Sequence, residues 1–277
     1  MNLEPLNIPQ LLRVNGLVAQ KGLGQNFLSD PGILTKVVEA ADVHSWDTVL
    51  EIGPGLGSLT RYLAARCNQV TAVEIDKNLI PILQQVLVGV DNVRIVHADI
   101  LSLDPRALMR GEPYSVVANI PYYITSAILR HLLDSDHKPD KLILTVQKEV
   151  ADRICASPGD MSLLALSVQV FGTPQTVLRI PAGAFYPAPN VDSVTVRIDA
   201  LPQPLITREK PDTFFQLARA GFSLKRKTLR NSLTGGLAWE TRQVEDMLAA
   251  AVIDPMRRAE TLTISEWSRL TDAFPLP

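Results

Sequence analysis

Residues 119–124, NIPYYI, place an amide, a proline and two tyrosines directly after the apolar run YSVVA. An asparagine side chain offers a carbonyl oxygen as a hydrogen-bond acceptor, and a proline keeps the residue before it out of helical geometry. A tyrosine presents a flat face on which another ring can stack. Together these residue types are suited to holding a planar ring that bears an amino group.

A glycine-rich turn, GPGLG, follows the apolar run TVLEI and precedes a helical pattern. Gly53 and Gly55 let the backbone turn sharply and approach a ligand closely. Glu74 lies 21 residues after Gly53, a distance at which an acidic residue binds the ribose hydroxyls of an adenosine-containing ligand. Asp99 is expected to accept a hydrogen bond from the exocyclic amine of the adenine. These features fit a nicotinamide or flavin enzyme nearly as well as a methyltransferase, and NIPYYI favours the methyltransferase.

These polar residues all fall at the ends of predicted strands. Between Thr48 and Gln147 apolar runs typical of buried parallel strands alternate with helical patterns. The strands are TVLEIG, VTAVEI, VRIVHADI, YSVVANI and KLILTVQ. This alternation predicts an open α/β sheet with helices on both faces, in which ligands bind at the carboxyl ends of the strands. TVLRIP and DSVTVRID predict two later strands, joined by the proline-rich loop AGAFYPAPNV.

Strand patterns stop after about Pro202, and the rest of the chain has the spacing of several short helices. We therefore expect a Rossmann-like domain over residues 1–202 and a small all-helical domain over residues 203–277.

The composition argues against several classes of function. The net charge of −2 argues against a globally basic nucleic-acid binder, so any basic surface must be local. No segment approaches the ~20 apolar residues that span a bilayer, and the beginning of the chain lacks the apolar core of a signal peptide, so we expect a cytoplasmic protein. The 4 histidines and 2 cysteines lack the spacing of a metal site, so no metal is expected.

NIPY matches the N-(I/L/P)-P-(Y/F) motif of the amino-methyltransferases that use S-adenosylmethionine. From Lys21 to about Leu270 the chain resembles, more closely, the small-subunit ribosomal RNA adenine dimethyltransferases. Those enzymes form N6,N6-dimethyladenosine at two adjacent adenines near the 3′ end of that RNA. The markers of the resemblance occur here in order as KGLGQNFL, LEIGPGLGSLT, EID, HADIL, NIPYYI, VQKEVADRI, PAGAFYPAPNVDSV, FSLKRKTLRNSL and RRAETLT.

The resemblance implies a Rossmann-like S-adenosylmethionine-dependent methyltransferase sheet with a small C-terminal all-helical domain. It also implies which residues bind S-adenosylmethionine. They are Asn26, Leu28, Gly53, Glu74, Asp99 and Asn119, together with Gly55 of the glycine-rich turn.

The residues expected to take part in catalysis are Asn119, Pro121, Tyr122 and Phe185. The Asn119 side-chain oxygen and the backbone carbonyl of Ile120 or Pro121 would each accept one hydrogen of the adenine amino group, which directs its lone pair at the sulfonium methyl. Tyr122 would stack on the base, which must leave its RNA stack, and Phe185 would form the opposite wall. No strong base is required, because the methylated nitrogen becomes acidic once it is positively charged.

A basic cluster near residue 225 is expected to contact RNA phosphates. Twelve residues without an acid contain Arg219, Lys225, Arg226, Lys227 and Arg230. On a helix that begins near residue 224, Lys227 and Arg230 share one face. From residue 205 onward there are 11 Lys+Arg against 9 Asp+Glu, so RNA binding is expected to depend on this patch and on RNA shape. The chain departs from the family at residues 163–165, where LLA replaces a Tyr-Gly-Arg-like triplet.

Three functions remain open on the sequence. The first is dimethylation of small-subunit ribosomal RNA in a pre-30S particle, by a monomeric enzyme that acts late in small-subunit assembly. The second is a related methyltransferase that acts on large-subunit ribosomal RNA, as the macrolide-resistance type does, or on DNA adenines. The third is a ribosome-assembly factor or transcription cofactor that binds RNA without methylating it. FSLKRKTLRNSL and RRAETLT favour the first function, and the intact GPGLG, Glu74, Asp99 and NIPY argue against the third.

Overall fold

A computed structural model describes residues 3–120, 124–206 and 211–275. The chain forms two compact units. The first comprises residues 1–151 and 174–200, and the second comprises residues 152–173 and 201–277. The sequence places residues 152–173 in the first domain, whereas contacts group them with the second unit. The last change from the first unit to the second falls between residues 200 and 201, two residues before the boundary expected from the sequence.

The first unit is built around a seven-stranded sheet. The strands of the described chain are β1 (Phe27–Leu28), β2 (Thr48–Ile52), β3 (Gln69–Glu74), β4 (Val93–His97), β5 (Ser115–Asn119), β6 (Lys141–Gln147), β7 (Gly172–Ile180), β8 (Phe185–Tyr186) and β9 (Ser193–Ala200). The order in the sheet is β4-β3-β2-β5-β6-β9-β7, and β2 to β6 pair in parallel, whereas β9 is antiparallel to β6. The α/β sheet expected from the sequence is thereby confirmed.

Helices alternate with the strands, as the sequence predicts. They are α1 (Ile8–Val14), α2 (Pro31–Ala41), α3 (Ser58–Ala64), α4 (Ile80–Val86), α5 (Pro105–Leu108), α6 (Thr125–Leu133), α7 (Lys148–Ile154), α8 (Leu163–Gln169), α9 (Pro211–Gly221), α10 (Leu229–Leu237), α11 (Thr241–Ala250) and α12 (Ile264–Asp272). Asp30 caps α2, because its carboxylate accepts a hydrogen bond of 2.8 Å from the N–H of Ile33. No helix of the described chain is long and apolar enough to cross a membrane.

Parallel pairing brings the carboxyl ends of five strands, β2 to β6, to one edge of the sheet. Glu74 of β3 lies opposite His97 of β4, and Asn119 of β5 lies opposite Thr145 of β6. The strands between the two helical layers are apolar and buried on both faces, as in Val116 and Val117, which are 0% exposed. Each such side chain contributes about 1.5–3 kcal/mol when it is buried. The edge is therefore fixed by a rigid core, and polar side chains there are held in place.

The two-residue strands β1 and β8 form a second, small antiparallel sheet that the sequence does not predict. Phe27 pairs with Tyr186 and Leu28 pairs with Phe185. The N–H of Ser29 extends this pairing with a hydrogen bond of 2.9 Å to the carbonyl of Ala184. The segment before α2 is thus attached to the proline-rich loop that follows β7.

The second unit packs α9, α10, α11 and α12 around an apolar centre. Trp267 is 0% exposed, and its ring stacks on that of Phe222 with a centroid distance of 5.7 Å. A side chain at Gly236 would put its Cβ 2.6 Å from the Cα of Ala220, so α9 and α10 approach as closely as they do because this residue is glycine.

The RRAETLT segment has a structural role in the second unit. Arg257 donates to both carboxylate oxygens of Glu266 and to the carbonyl of Thr261. The hydrogen bonds from Arg257 lower the pKa of Glu266 to about 2. This pair ties the segment before α12 to the first turn of that helix.

Candidate active site

A cavity lies at the carboxyl edge of the sheet, within the first unit. Its wall is formed by the segment before β1, the glycine-rich turn after β2, and the ends of β3, β4 and β5. All seven residues expected to bind a cofactor line it: Asn26, Leu28, Gly53, Gly55, Glu74, Asp99 and Asn119. Residues that are far apart in the sequence are therefore brought together at one edge.

The glycine-rich turn uses backbone conformations that other residues adopt only under strain. Gly53 has φ +69° and Gly55 has φ +59°, both in the left-handed region. A Cβ at Gly55 would lie 2.9 Å from the ring of Phe27. Both constraints keep the turn narrow and leave its backbone close to the cavity.

The carboxylate of Glu74 is buried and anchored by backbone groups. Oε2 accepts from the N–H of Gly55 and Oε1 accepts from the N–H of Asp76, each at 2.9 Å. Burial raises the pKa of Glu74, and these hydrogen bonds oppose the rise. Each oxygen retains a second lone pair, so the group can accept further hydrogen bonds from a pair of hydroxyls.

Asp99 both caps a helical turn and faces the cavity. It precedes the short 3₁₀ helix Ile100–Ser102, and its Oδ1 accepts from the N–H of Leu101 at 3.0 Å. The side chain is exposed at the cavity edge. The cap and the ligand contact are therefore compatible functions of one carboxylate.

Glu51 is a cavity residue that the sequence reasoning did not identify. It is 1% exposed, and its Oε2 has no hydrogen-bond partner among the described residues. Burial raises its pKa to about 8. The signal in the sequence is an acidic residue inside an otherwise apolar strand, two residues before the glycine-rich turn, at a position where a buried charge has a high cost.

Asn119 stands at the end of β5 with its amide group oriented by the neighbouring segment. Its Nδ2 donates to the backbone carbonyl of Asn26 at 2.9 Å. The opposite orientation of the amide would set Oδ1 against that carbonyl, and two acceptors repel each other. The hydrogen bond therefore leaves Oδ1 as the acceptor that Asn119 offers to a ligand.

The remaining residues expected to take part in catalysis are Pro121, Tyr122 and Phe185. Pro121 and Tyr122 lie outside the described residues. Phe185 is 4% exposed and belongs to the apolar core beside Leu28, and it is not part of the described cavity wall. The pairing of β8 with β1 directs this side chain inward, so the structure does not support Phe185 as an exposed wall for a base.

The basic cluster lies in the second unit but not on one helix. The helix expected to begin near Leu224 begins only at Leu229, because Thr228 is its N-cap. Lys225, Arg226 and Lys227 are exposed in the preceding turns. Arg230 is the first of the cluster inside α10, and it pairs with Glu245 at 3.0 Å. Three of the five cations are thus exposed in these turns, Arg219 is exposed in the last turn of α9, and Arg230 is partly neutralised.

No group of three or more His, Cys, Asp or Glu side chains that could hold a metal occurs in the described part of the chain. The absence of a bound metal remains a prediction from the sequence.

The sheet order, the glycine-rich turn and the polar residues at the strand ends define the fold of the S-adenosylmethionine-dependent methyltransferases. The family model described as ribosomal RNA adenine dimethylase matches residues 17–271. The chain belongs to this family.

Curated relatives agree with that assignment. "Ribosomal RNA small subunit methyltransferase A" of Dehalococcoides mccartyi (strain CBDB1) is 49% identical over 256 residues, which cover 92% of this chain and 88% of the relative. The protein of the same name from Moorella thermoacetica is 44% identical, with 94% of each chain covered.

Two solved structures share the fold over most of the chain. A dimethyladenosine transferase from Plasmodium falciparum superposes with a TM-score of 0.75 at 28% identity, covering 88% of this chain and 95% of that one. The 23S rRNA methyltransferase ErmE superposes with a TM-score of 0.70 at 30% identity, covering 90% of this chain and 99% of that one. The resemblance inferred from the sequence motifs is thereby confirmed.

Proposed function

We propose that this protein transfers methyl groups from S-adenosylmethionine to N6 of two adjacent adenines near the 3′ end of small-subunit ribosomal RNA. Family membership supports the reaction class. The observation that carries the proposal is the hydrogen bond from Asn119 Nδ2 to the Asn26 carbonyl, which leaves Oδ1 as an acceptor at the cavity. The proposed substrate is a pre-30S particle late in assembly in the cytoplasm, and the enzyme is proposed to act as a monomer.

The residues of the cavity fit S-adenosylmethionine, which supplies, when bound, an electrophilic methyl group on a positively charged sulfur. Glu74 offers acceptors for the two ribose hydroxyls, and Asp99 offers one for the adenine amine. Gly53 and Gly55 allow the backbone to approach the ligand, and Asn26 and Leu28 complete the wall. Glu51 also lines the cavity, and its buried Oε2, which has no partner among the described residues, offers one more hydrogen-bonding atom to a ligand.

Asn119 is proposed to prepare the substrate amine for attack. The lone pair of an adenine amino nitrogen is delocalised into the ring, which makes it a poor nucleophile. Oδ1 of Asn119 and the backbone carbonyl of Ile120 or Pro121 accept one amino hydrogen each and turn the lone pair out of the ring plane. Orientation of this kind, in a preorganised site, provides most of the acceleration without a strong base.

A second methyl transfer places a condition on these two acceptors. After the first transfer the nitrogen has only one hydrogen, so one acceptor contact must be dispensable. Asn119 keeps its own orientation from the Asn26 carbonyl rather than from the substrate, so its Oδ1 stays in place when the first substrate hydrogen has been replaced by methyl.

RNA contacts are proposed outside the cavity as well. Tyr122 is proposed to stack on the extruded adenine. Lys225, Arg226 and Lys227 are proposed to contact RNA phosphates because they are exposed, and Arg230 is proposed to contribute despite its pair with Glu245. The helical unit thereby serves as the RNA-binding domain.

The test is mass analysis of adenosines after incubation with S-adenosylmethionine and small ribosomal subunits that lack the modification. Dimethyladenosine in small-subunit RNA is the expected product. Modification only of large-subunit RNA or of DNA, or binding without modification, would contradict the proposal. We expect Asn119→Ala to lower transfer by about 10²–10³-fold.

Asn92→Ala is the matched control for that substitution. Asn92 also uses its amide to bind backbone carbonyls, those of Ala64 and Cys67 at 2.8 and 3.1 Å, but it precedes β4 at the opposite edge of the sheet. This variant is expected to lose some stability and to retain transfer.

A further inference from the structure

A second hydrogen-bonded group surrounds Asp76 beside the cavity, and it includes the wall residue Gln25. Asp76 is 6% exposed, and it is not part of the described cavity wall. Its backbone N–H donates to Glu74 Oε1 at 2.9 Å. A buried carboxylate requires hydrogen-bond donors, and Asp76 obtains two of its donors from a segment more than 50 residues away in the sequence.

Two glutamine side chains of the amino-terminal segment donate to the same oxygen of Asp76. Gln25 Nε2 lies 2.8 Å from Oδ2 and Gln20 Nε2 lies 3.1 Å from it. The two glutamines are also joined, because the N–H of Gln20 donates to Gln25 Oε1 at 2.8 Å. We call these three residues the Asp76 clamp. The other oxygen, Oδ1, serves a local turn by accepting from the backbone and the side chain of Asn78.

The residue that directly follows the Asp76 clamp is Asn26, whose carbonyl orients Asn119. Asn26 is fixed on both sides, by the clamp before it and by the pairing of Phe27 and Leu28 with β8 after it. The distance from the Asn26 carbonyl to Asn119 Nδ2 is 2.9 Å. Movement of this carbonyl would remove the interaction that distinguishes the two orientations of the Asn119 amide.

We propose that the Asp76 clamp is a positioning device for methyl transfer, which holds the Asn26 carbonyl where it keeps Asn119 Oδ1 available to the substrate amine. This inference rests on the proposed function, because it requires that Asn119 accepts a hydrogen bond from that amine. Asp76 does not touch the reacting atoms and acts through Asn26. Its removal therefore affects the rate at saturating donor more than the binding of the donor.

The first experiment measures kcat and the KM for S-adenosylmethionine, with the donor varied up to saturation and with saturating small ribosomal subunits that lack the modification. Asp76→Ala is expected to lower kcat by about fivefold, which corresponds to one hydrogen bond of ordinary strength. Asn78→Ala is the matched control, because it removes a hydrogen bond to Oδ1 and leaves the two glutamines on Oδ2. It is expected to keep the kcat of the unmodified protein.

A second variant keeps the proposal testable if the melting temperature shows that Asp76→Ala does not fold. Gln25→Glu places a carboxylate against Asp76, beside the existing carboxylate of Glu74, and such a pair is compatible with a hydrogen bond only when it holds a proton. The kcat of Gln25→Glu relative to the unmodified protein is expected to rise as the pH falls, because the pair of carboxyl groups then gains the proton that it needs for a hydrogen bond. Gln25→Ala, which cannot regain the hydrogen bond, is expected to show no recovery.

The outcomes distinguish this inference from the proposed function. An unchanged kcat with a raised KM for the donor would assign the Asp76 clamp to cofactor binding and would overturn the inference, as would parallel pH profiles of Gln25→Glu and Gln25→Ala. If Asn119→Ala is inactive while all clamp variants behave like the unmodified protein, only the positioning role fails. If Asn119→Ala retains full transfer, the proposed role of Asn119 fails and the inference fails with it.

Discussion

Replacing Glu51 with glutamine should change how the stability of the first unit depends on pH. In the unfolded chain this carboxyl ionises near its ordinary pKa of 4.5, whereas burial in the folded protein raises the pKa to about 8. Between these pH values the folded state binds one more proton than the unfolded state does. The free energy of unfolding therefore falls as the pH rises through this window.

The expected size of the effect follows from the width of the window. Each pH unit changes the free energy of unfolding by about 1.36 kcal/mol, so the contribution of Glu51 falls by about 4 kcal/mol between pH 5 and pH 8. For a domain of this size that corresponds to roughly 10 °C in melting temperature. Glu51→Gln has no proton to lose, so it should lack this decline and be the more stable protein at pH 8.

The assay is hydrogen exchange in peptides of β2 and β5, which reports the first unit alone, at several pH values in increasing urea. Glu39→Gln is the control, because Glu39 is exposed on α2. Its profile should run parallel to that of the unmodified protein. Parallel profiles for Glu51→Gln and the unmodified protein would refute the reasoning, since they would mean that Glu51 ionises alike in both states.

Three further predictions concern other parts of the chain. Arg257 lowers the pKa of Glu266, so the ionised Glu266 contributes to stability above about pH 4.5, and this contribution is lost toward pH 2. Glu266→Gln should therefore lower the free energy of unfolding by about 1–2 kcal/mol at pH 7 and by little at pH 2, as measured by urea unfolding. Gly55→Ala should weaken S-adenosylmethionine binding at least about tenfold in calorimetry, because of its positive φ and its close approach to a ring. Unchanged affinity would contradict this. Replacing the cations of residues 225–227 by neutral residues should reduce the slope of log K for RNA binding against log salt concentration. The reduction should be about one for each phosphate contact that is lost. Arg242→Ala, which removes another exposed cation, should leave this slope unchanged.

The alternation of apolar strands and helices was sufficient to predict the sheet, because each central strand is a continuous buried run that is flanked by turn residues. The same rule located the cavity residues, since Glu74 and Asn119 are the last residues of β3 and β5, and Asp99 lies two residues after the end of β4. These positions depend only on local pattern and on the geometry shared by all parallel sheets.

The features that were not predicted depend on interactions between distant parts of the chain. Helix α1 packs in an apolar cluster with Phe27 and Leu56, and β1 and β8 are too short to show a period. Phe185 was predicted as a wall for the base because it lies in a proline-rich loop, whereas its pairing with Leu28 buries the side chain. The start of α10 shifted to Leu229 because the cap at Thr228 outweighs the helix propensity of the lysines and arginine before it.

The pairing of β1 with β8 has a consequence for when the protein becomes active during its own synthesis. Ser29 and Ala184 are hydrogen-bonded across 155 residues of sequence. At ordinary rates of translation the growing chain needs roughly 10–30 s to add that length. During this time the segment that bears Asn26 and Leu28 lacks its partner strand. A nascent chain therefore cannot form the complete donor pocket until most of it has been made, which delays activity until synthesis is nearly finished.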